Sequence, residues 1–202
     1  MSTKLQKDDI SVAILAGGKS SRMDGNNKGL MKLNNKLVLS RLISIACNYS
    51  SDVFVIANDL LDEYRKIHQN VYSDILEDYQ GPLSGIYSAL SYCKNQYLIT
   101  LPCDGPFLSK EYFETLTECN NEKKIIVTKT GDRLQPVHAR IDTSLKNNLK
   151  LFLQSGERKI DKWYTSCGYE EILFDESDEM FINLNTKTDI EENIELIKKL
   201  YG

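Results

Sequence analysis

Histidine is scarce in this chain of 202 residues, which has only His68 and His138. Two histidines argue against an imidazole-rich metal site and against histidine-centred catalysis. Any bound metal should therefore be a hard ion held by oxygen ligands. The five cysteines are odd in number and form no C-x-x-C pair. This pattern argues against a disulfide framework or a thiolate zinc site and favours reduced thiols in the cytoplasm.

Basic excess and long apolar runs are also missing. The formal net charge is -4, which makes a broad nucleic-acid-binding face improbable. No apolar run approaches the roughly 20 residues that cross a bilayer, and the first ten residues contain no apolar core of a signal peptide. We expect a cytoplasmic protein without nucleic-acid or membrane partners, built as a single domain over residues 1–202.

Short apolar runs alternate with segments of helical period, which predicts an α/β fold with a mainly parallel sheet. Residues 10–16, 52–57, 96–102 and 124–130 are predicted as buried strands, and a short strand is expected around Val71 and Tyr72. Helices are predicted in 36–49 and 81–93, after a cap at Ser109, and after a cap at Thr186 or Thr188.

A glycine-rich loop, ILAGGKSSRMDGNNKG, follows the first predicted strand. Gly17 and Gly18 would let backbone N–H groups surround phosphate oxygens, and Arg22 and Lys28 would add charge-assisted contacts. A tight turn with solvated cations explains the loop equally well when it is taken alone. The loop matches neither the P-loop pattern nor G-x-G-x-x-G.

Two further stretches are predicted at the same edge of the sheet. In DILEDYQGPLSGI, Asp74 follows a short strand, and Gly81, Pro82 and Gly85 open a helix. In LPCDGPFLS, Asp104 follows a strand end between two prolines. A lone Asp in a turn is usually a turn former, but beside a triphosphate loop it could hold Mg²⁺ together with phosphate oxygens.

These motifs, with the late FINLNT, resemble the molybdenum cofactor guanylyltransferases, the MobA-type enzymes. The family pattern is L-A-G-G-x-x-x-R-M-G-x-D-K-G. Asp24 stands here where Gly is usual, Asn27 where Asp is usual, and Lys187 where the family has Pro. The resemblance covers roughly residues 12–190.

The resemblance implies a Rossmann-like three-layer nucleotidyltransferase fold and transfer of GMP from GTP to the terminal phosphate of molybdenum-molybdopterin. It implies Mg²⁺ as cofactor, bound by Asp104, with Arg22, Lys28 and Asp104 as catalytic residues. The implied GTP contacts are Leu15, Ala16, Gly17, Gly18, Lys28, Asn58, Asp74 and Asp104. A helix cap before LLDEYRKI is an equally good interpretation of Asn58.

The C-terminal half would bind molybdopterin, and the N-terminal half would bind GTP. By the same resemblance, the pterin would be bordered by residues 133–141, 155–163 and 181–186. The candidates for molybdopterin contacts are Arg158, Lys159, Asn183 and Asn185. Each of them could equally be a capping or solvated residue, and Trp163 could be a core aromatic. Molybdenum-insertion proteins and apo-molybdoenzymes are possible protein partners.

Three alternatives stay open at this point. One is a cytidylyltransferase of the same group, and another is an LAGG-type enzyme that activates sugar phosphates or related alcohol phosphates. The third is a catalytically silent nucleotide-binding module that regulates a partner in molybdoenzyme assembly. The intact GPLSGI and PCDGPF motifs favour the guanylyl branch, whereas Asp24 and Asn27 keep the silent module open.

Overall fold

The computed structural model describes residues 4–17, 22–23, 26–76, 81–119, 122–175, 179–184 and 186–202, and only the backbone of 22–23 and 26–28. Within these ranges the strands are β1 Ile10–Leu15, β2 Arg22–Met23, β3 Asn26–Asn27, β4 Lys32–Leu33, β5 Lys36–Leu37, β6 Asp52–Ile56, β7 Val71–Tyr72, β8 Tyr97–Pro102, β9 Ile125–Thr130, β10 Arg133–Asp142 and β11 Glu170–Phe174. The α-helices of these ranges are α1 Val38–Ala46, α2 Leu61–Ile67, α3 Pro82–Tyr92, α4 Lys110–Glu118, α5 Lys146–Gln154, α6 Ile160–Cys167, α7 Lys187–Glu192 and α8 Ile194–Tyr201.

In the described part of the chain, seven strands form one sheet in the order β11-β9-β10-β8-β1-β6-β7. β1 pairs parallel with both β6 and β8, and β6 pairs parallel with β7. β10 runs antiparallel between β8 and β9, while β11 pairs parallel with β9. The carboxyl ends of β1, β6, β7 and β8 therefore meet at one edge, where open α/β sheets bind ligands.

The sheet lies between two helical layers. Successive side chains of a strand point to opposite faces of the sheet, so each strand contributes to both layers of the core. On β1, Val12 and Ile14 belong to the cluster that packs against α1, α2, α4 and α8, whereas Ala13 and Leu15 face α3, α5 and α6. The α/β fold of three layers that the sequence predicts is confirmed.

Most of the predicted elements are present. The four long predicted strands are found with ends shifted by at most one residue. Ser109 caps α4 by accepting a hydrogen bond from the Glu111 N–H. Thr186 caps α7 in a reciprocal box with Asp189, and Asn193 then separates α7 from α8, so the single terminal helix that was predicted is wrong.

No helix among the described residues is long and apolar enough to cross a bilayer. The five cysteines, all of which lie in the described ranges, form no disulfide bond.

Candidate nucleotide-binding site

A cavity of about 300 Å³ opens at the carboxyl edge of the sheet. It runs from the ends of β1 and β6, past the end of β8, to the first half of β10. Its walls are formed by Leu15, Ala16, Gly17, Ile56, Asp74, Gly81, Pro82, Gly85, Pro102, Cys103, Asp104, Arg133, Gln135, Pro136, Val137, His138 and Asn183. The chain thus brings together residues from five of the predicted stretches, which are distant in sequence: the glycine-rich loop, DILEDYQGPLSGI, LPCDGPFLS, 133–141 and 181–186.

Asn58 and Asp74 form a reciprocal pair on the β7 side of this cavity. The Asn58 Nδ2 donates to Asp74 Oδ2 at 2.9 Å, and the Asp74 N–H donates to Asn58 Oδ1 at 2.9 Å. The other carboxylate oxygen, Asp74 Oδ1, is buried and has no hydrogen-bond partner among the described residues. Asn58 therefore fixes the carboxylate and leaves one acceptor unused.

The interpretation of Asn58 as a helix cap is wrong. α2 begins at Leu61, its N-cap position is Leu60, and no side chain caps it. Asn58 does not line the cavity, although its Nδ2 lies 3.3 Å from where a Cβ on Gly17 would be. Its contact with GTP stays a prediction, and its observed partner is Asp74.

Leu15, Asp74 and Gly85 line one part of the cavity, and the space between them is named the Gly85 slot. A Cβ at Gly85 would lie 3.7 Å from one Leu15 methyl carbon and 3.8 Å from Asp74 Oδ1. Pro82 is the first residue of α3, where a missing N–H costs nothing, and Gly81 before it has a φ of 77°. A flat ring in this slot would meet an apolar face from Leu15 and an unused acceptor from Asp74.

Asp104 lies midway along the cavity wall, in the turn that follows β8. Cys103 before it is tied to the central strand, because its N–H donates to the Leu15 carbonyl at 3.1 Å. The Asp104 side chain is half-buried and lies between the Leu15–Gly17 segment and the Gln135–His138 segment in the wall of the cavity. One carboxylate therefore lies where the two halves of the cavity meet.

An irregular stretch of β10 forms the opposite wall. The pairing of β10 with β9 shifts register between Gln135 and Ala139, so the residues between them leave the ladder. Burial lowers the pKa of His138 to about 3, so this imidazole is neutral at physiological pH. The sequence indicated only that residues 133–141 border the acceptor and singled out none of them, although Pro136 inside a strand is a signal for a bulge.

The remaining predicted residues are distributed unevenly. Asn183 lines the cavity, and its Oδ1 is buried without a partner in the described ranges. Arg158 is exposed and donates to the carbonyls of Leu153, in α5, and of Glu157, which follows that helix. Lys159 is exposed at the N-cap of α6. Neither of these two lines the cavity. Gly18, Asn185 and the side chains of Arg22 and Lys28 lie outside the described residues.

Gly29 ends the loop motif against a buried tyrosine. A Cβ at this position would overlap the Tyr64 hydroxyl and press on its ring, and Tyr64 is fully buried. We expect Gly29→Ala to lower the free energy of unfolding by about 1 to 3 kcal/mol, because overpacking forces neighbours to shift. Urea unfolding measures this. Gly105→Ala is the control, since among the described residues only Asn183 Oδ1, at 3.9 Å, would lie near its Cβ. An equal loss in both variants would contradict overpacking against Tyr64 as the cause.

A mainly parallel α/β sheet with carboxylates at its carboxyl edge places the protein in the class of Rossmann-like nucleotide-binding enzymes. The sequence profile of the MobA-like NTP transferase domain matches residues 12–168. The chain therefore belongs to the MobA-like NTP transferase family, and it is a nucleotidyltransferase.

Curated relatives match nearly end to end. The molybdenum cofactor guanylyltransferase of Shewanella woodyi is 35% identical over 192 residues, which are 94% of this chain and 98% of that protein. The molybdenum cofactor guanylyltransferase of Photobacterium profundum is 32% identical over 186 residues, 92% of this chain and 95% of that one. Among solved structures, molybdopterin-guanine dinucleotide biosynthesis protein A of Archaeoglobus fulgidus has a TM-score of 0.74 at 20% identity, covering 94% of this chain and 99% of that chain. This last likeness bears on the fold alone.

Proposed function

We propose that this protein transfers GMP from GTP to the terminal phosphate of molybdenum-molybdopterin, giving the guanine dinucleotide form and pyrophosphate. The observation that carries the proposal is the match to molybdenum cofactor guanylyltransferases over more than nine tenths of both chains. The experiment that tests it is transfer from labelled GTP onto molybdopterin, with release of pyrophosphate.

In this reaction an oxygen of the acceptor phosphate attacks the α-phosphorus of GTP. A new P–O bond forms, and the bond from the α-phosphorus to the bridging oxygen breaks, so that pyrophosphate leaves with the electron pair. The acceptor phosphate is already ionised at neutral pH, so no general base is required. The main barrier is repulsion between anions, which fits a cavity without a titrating histidine.

We assign the nucleotide to the N-terminal half of the chain and the acceptor to the C-terminal half. The backbone of Leu15, Ala16 and Gly17, with Gly18, would hold the phosphates, and Arg22 and Lys28 would neutralise their charge. Asp74 Oδ1 would accept N–H donors of guanine in the Gly85 slot, since it is a buried acceptor without a partner in the described ranges. Asn183 and Asn185, with Arg158 and Lys159, remain candidates for the acceptor.

A magnesium ion fits the residues that are present. Mg²⁺ is usually bound through one or two carboxylates together with substrate phosphates and water, and Asp104 offers a carboxylate in the cavity wall. The described ranges contain no group of three or more His, Cys, Asp or Glu that could form an all-protein metal cage. We propose Asp104 as the metal-binding residue. Bound there, Mg²⁺ would supply charge neutralisation at the phosphates.

The cellular location and the protein partners of the enzyme are also proposals. We propose a cytoplasmic location, and we propose molybdenum-insertion proteins and apo-molybdoenzymes as partners that deliver the acceptor or take up the product.

Asn58→Ala should lower kcat/KM for GTP about tenfold, because the Asp74 carboxylate loses the hydrogen bond from Asn58 Nδ2 and the Asp74 backbone N–H loses its acceptor. Steady-state kinetics with varied GTP measure the effect. The melting temperature should stay close to that of the wild type, since Asn58 is exposed. Asn48→Ala is the control, because Asn48 is also exposed and its side-chain amide donates to the Ser44 carbonyl of α1, away from the cavity. Unchanged GTP kinetics in Asn58→Ala would contradict this role.

Lys28→Ala should weaken GTP binding by roughly ten- to a hundredfold, because a charge-assisted contact to phosphate is lost. The free energy of unfolding should change by only about 0.5 kcal/mol, as is usual for a loop lysine. Calorimetric titration with GTP checks the first value and urea unfolding the second. Lys32→Ala, at an exposed lysine of β4, serves as the control. A GTP affinity equal to that of the wild type would return Lys28 to the status of a solvated loop residue.

A further inference from the structure

The stretch of β10 that faces the cavity is held in a fixed conformation. Residues 136–138 leave the β9 ladder, and their carbonyl groups would otherwise need new hydrogen-bond donors. Three side-chain hydroxyls supply them. The Tyr164 hydroxyl donates to the Pro136 carbonyl at 2.6 Å, Thr100 Oγ1 donates to the Val137 carbonyl at 2.7 Å, and Thr128 Oγ1 donates to the His138 carbonyl at 3.2 Å. The bulge is therefore a built part of the cavity wall.

The His138 ring is also fixed by its neighbours. Tyr112 and Phe181 contact it edge to face, with centroid distances of 5.4 and 5.2 Å and interplanar angles of 82° and 84°. Tyr112 is itself anchored, because its hydroxyl donates to the Thr100 carbonyl at 2.7 Å. Turning the imidazole over about its Cβ–Cγ bond keeps the ring plane and both contacts, so its nitrogens can exchange sides without repacking.

His138 nevertheless lacks the hydrogen bond that a buried imidazole normally makes. The side chain is only 5% exposed, and Nδ1 is buried without a partner in the described part of the chain. Asn183 Oδ1, on the same cavity, is in the same condition. Buried polar atoms are seldom left unpaired, so each exception needs an explanation, and a ligand that supplies the missing hydrogen bond is one.

The position of His138 indicates which ligand would supply the missing hydrogen bond. Asp74 and the Gly85 slot lie on the β7 side of the sheet, whereas His138 lies on β10, beyond the end of β8 and Asp104. A nucleotide in the Asp74 slot with its phosphates at the Leu15–Gly17 segment leaves the β10 end for the acceptor. A neutral imidazole offers one N–H donor and one acceptor, which suits the alternating N–H and ring-nitrogen groups of a pterin.

We propose that His138 is an acceptor-binding residue, whose imidazole hydrogen-bonds the pterin part of the acceptor and holds its phosphate towards Asp104. This inference rests on the proposed function for the identity of the acceptor. In this inference the bulge of β10 selects the acceptor, whereas Asp74 selects the nucleotide.

Two substitutions of His138 separate hydrogen bonding from packing. His138→Phe keeps an aromatic ring between Tyr112 and Phe181 but removes both nitrogens, and it should raise the KM for molybdopterin about tenfold while the Kd for GTP stays unchanged. His138→Gln restores a donor and an acceptor and should recover most of the affinity for molybdopterin. His68→Gln changes the other histidine, which bonds the Val53 carbonyl away from the cavity, and should behave as the wild type.

Direct binding of molybdopterin, measured by calorimetry on the same variants, distinguishes the possible failures. If the wild type binds molybdopterin but transfers no GMP, the proposed function is overturned. The order of molybdopterin affinities among the wild type and the His138 variants then still tests this inference. Equal molybdopterin affinity in wild type and His138→Phe overturns the inference. A parallel loss of GTP and molybdopterin binding in His138→Phe also overturns it, because that result assigns a general structural role.

Discussion

Asp104→Asn should reduce the rate of GMP transfer by about 100- to 1,000-fold, the largest effect that we expect from a single substitution. The change is nearly isosteric, and the turn that presents Asp104 is held between Pro102 and Pro106. The fold should therefore survive while the anionic ligand for Mg²⁺ is removed. An amide oxygen binds Mg²⁺ more weakly than a carboxylate does, so the variant should also require a higher Mg²⁺ concentration.

The measurement is the initial rate of pyrophosphate release at several Mg²⁺ concentrations, with molybdopterin and GTP held fixed. Asp62→Asn is the matched control, because Asp62 is an exposed aspartate of α2 whose partner is Arg65. Thermal unfolding of both variants should coincide with that of the wild type. Normal turnover of Asp104→Asn at limiting Mg²⁺ would show that the metal role of Asp104 is wrong.

Asp74→Asn should have the second largest effect, a loss of about a hundredfold in kcat/KM for GTP. Asn58 Nδ2 donates to the position of Oδ2, so the new amide must place its oxygen there. Its NH₂ group then takes the position of Oδ1, which faces the slot beside Gly85. Guanine would meet a donor where its own N–H donors need an acceptor, and two unpaired polar groups cost on the order of 1 to 3 kcal/mol each.

The same variant should lose less activity with CTP or ATP, because cytosine and adenine present ring acceptors that an amide NH₂ can bind. Rates with all three nucleotides, compared between wild type and Asp74→Asn, therefore report a change in preference as well as a loss. Asp62→Asn again serves as the control for an aspartate remote from the cavity. An equal loss of rate with every nucleotide would contradict a contact between Asp74 and the base, and would instead indicate a contact with the ribose or a structural role.

The sheet and its ligand-binding edge could be predicted because they depend on local pattern. Strands such as β1 and β8 are continuous apolar runs, and each is followed within two residues by glycine or aspartate. The carboxyl ends of parallel strands lie at the same edge of a sheet. The sequence alone therefore predicts that Asp74, Asp104 and the Leu15–Gly17 segment lie close together.

The acceptor side could not be predicted in the same way. β10 is interrupted at Pro136, and its bulge depends on hydroxyls from Thr100, Thr128 and Tyr164, which are distant in sequence. Asn58 shows the same limitation, since its role depends on Asp74, which lies 16 residues further along the chain. Contacts of this kind follow from tertiary packing, which hydrophobic periodicity does not encode.

The competition between GTP, CTP and ATP for transfer onto molybdopterin tests the central claim most directly. A slot in which Asp74 Oδ1 is a buried acceptor for the N–H donors of guanine should prefer GTP by about ten- to a hundredfold at matched Mg²⁺. We predict that the guanylyl product dominates an equimolar mixture of the three nucleotides. A product that carries mainly cytidine would contradict guanylyl transfer as the function of this enzyme.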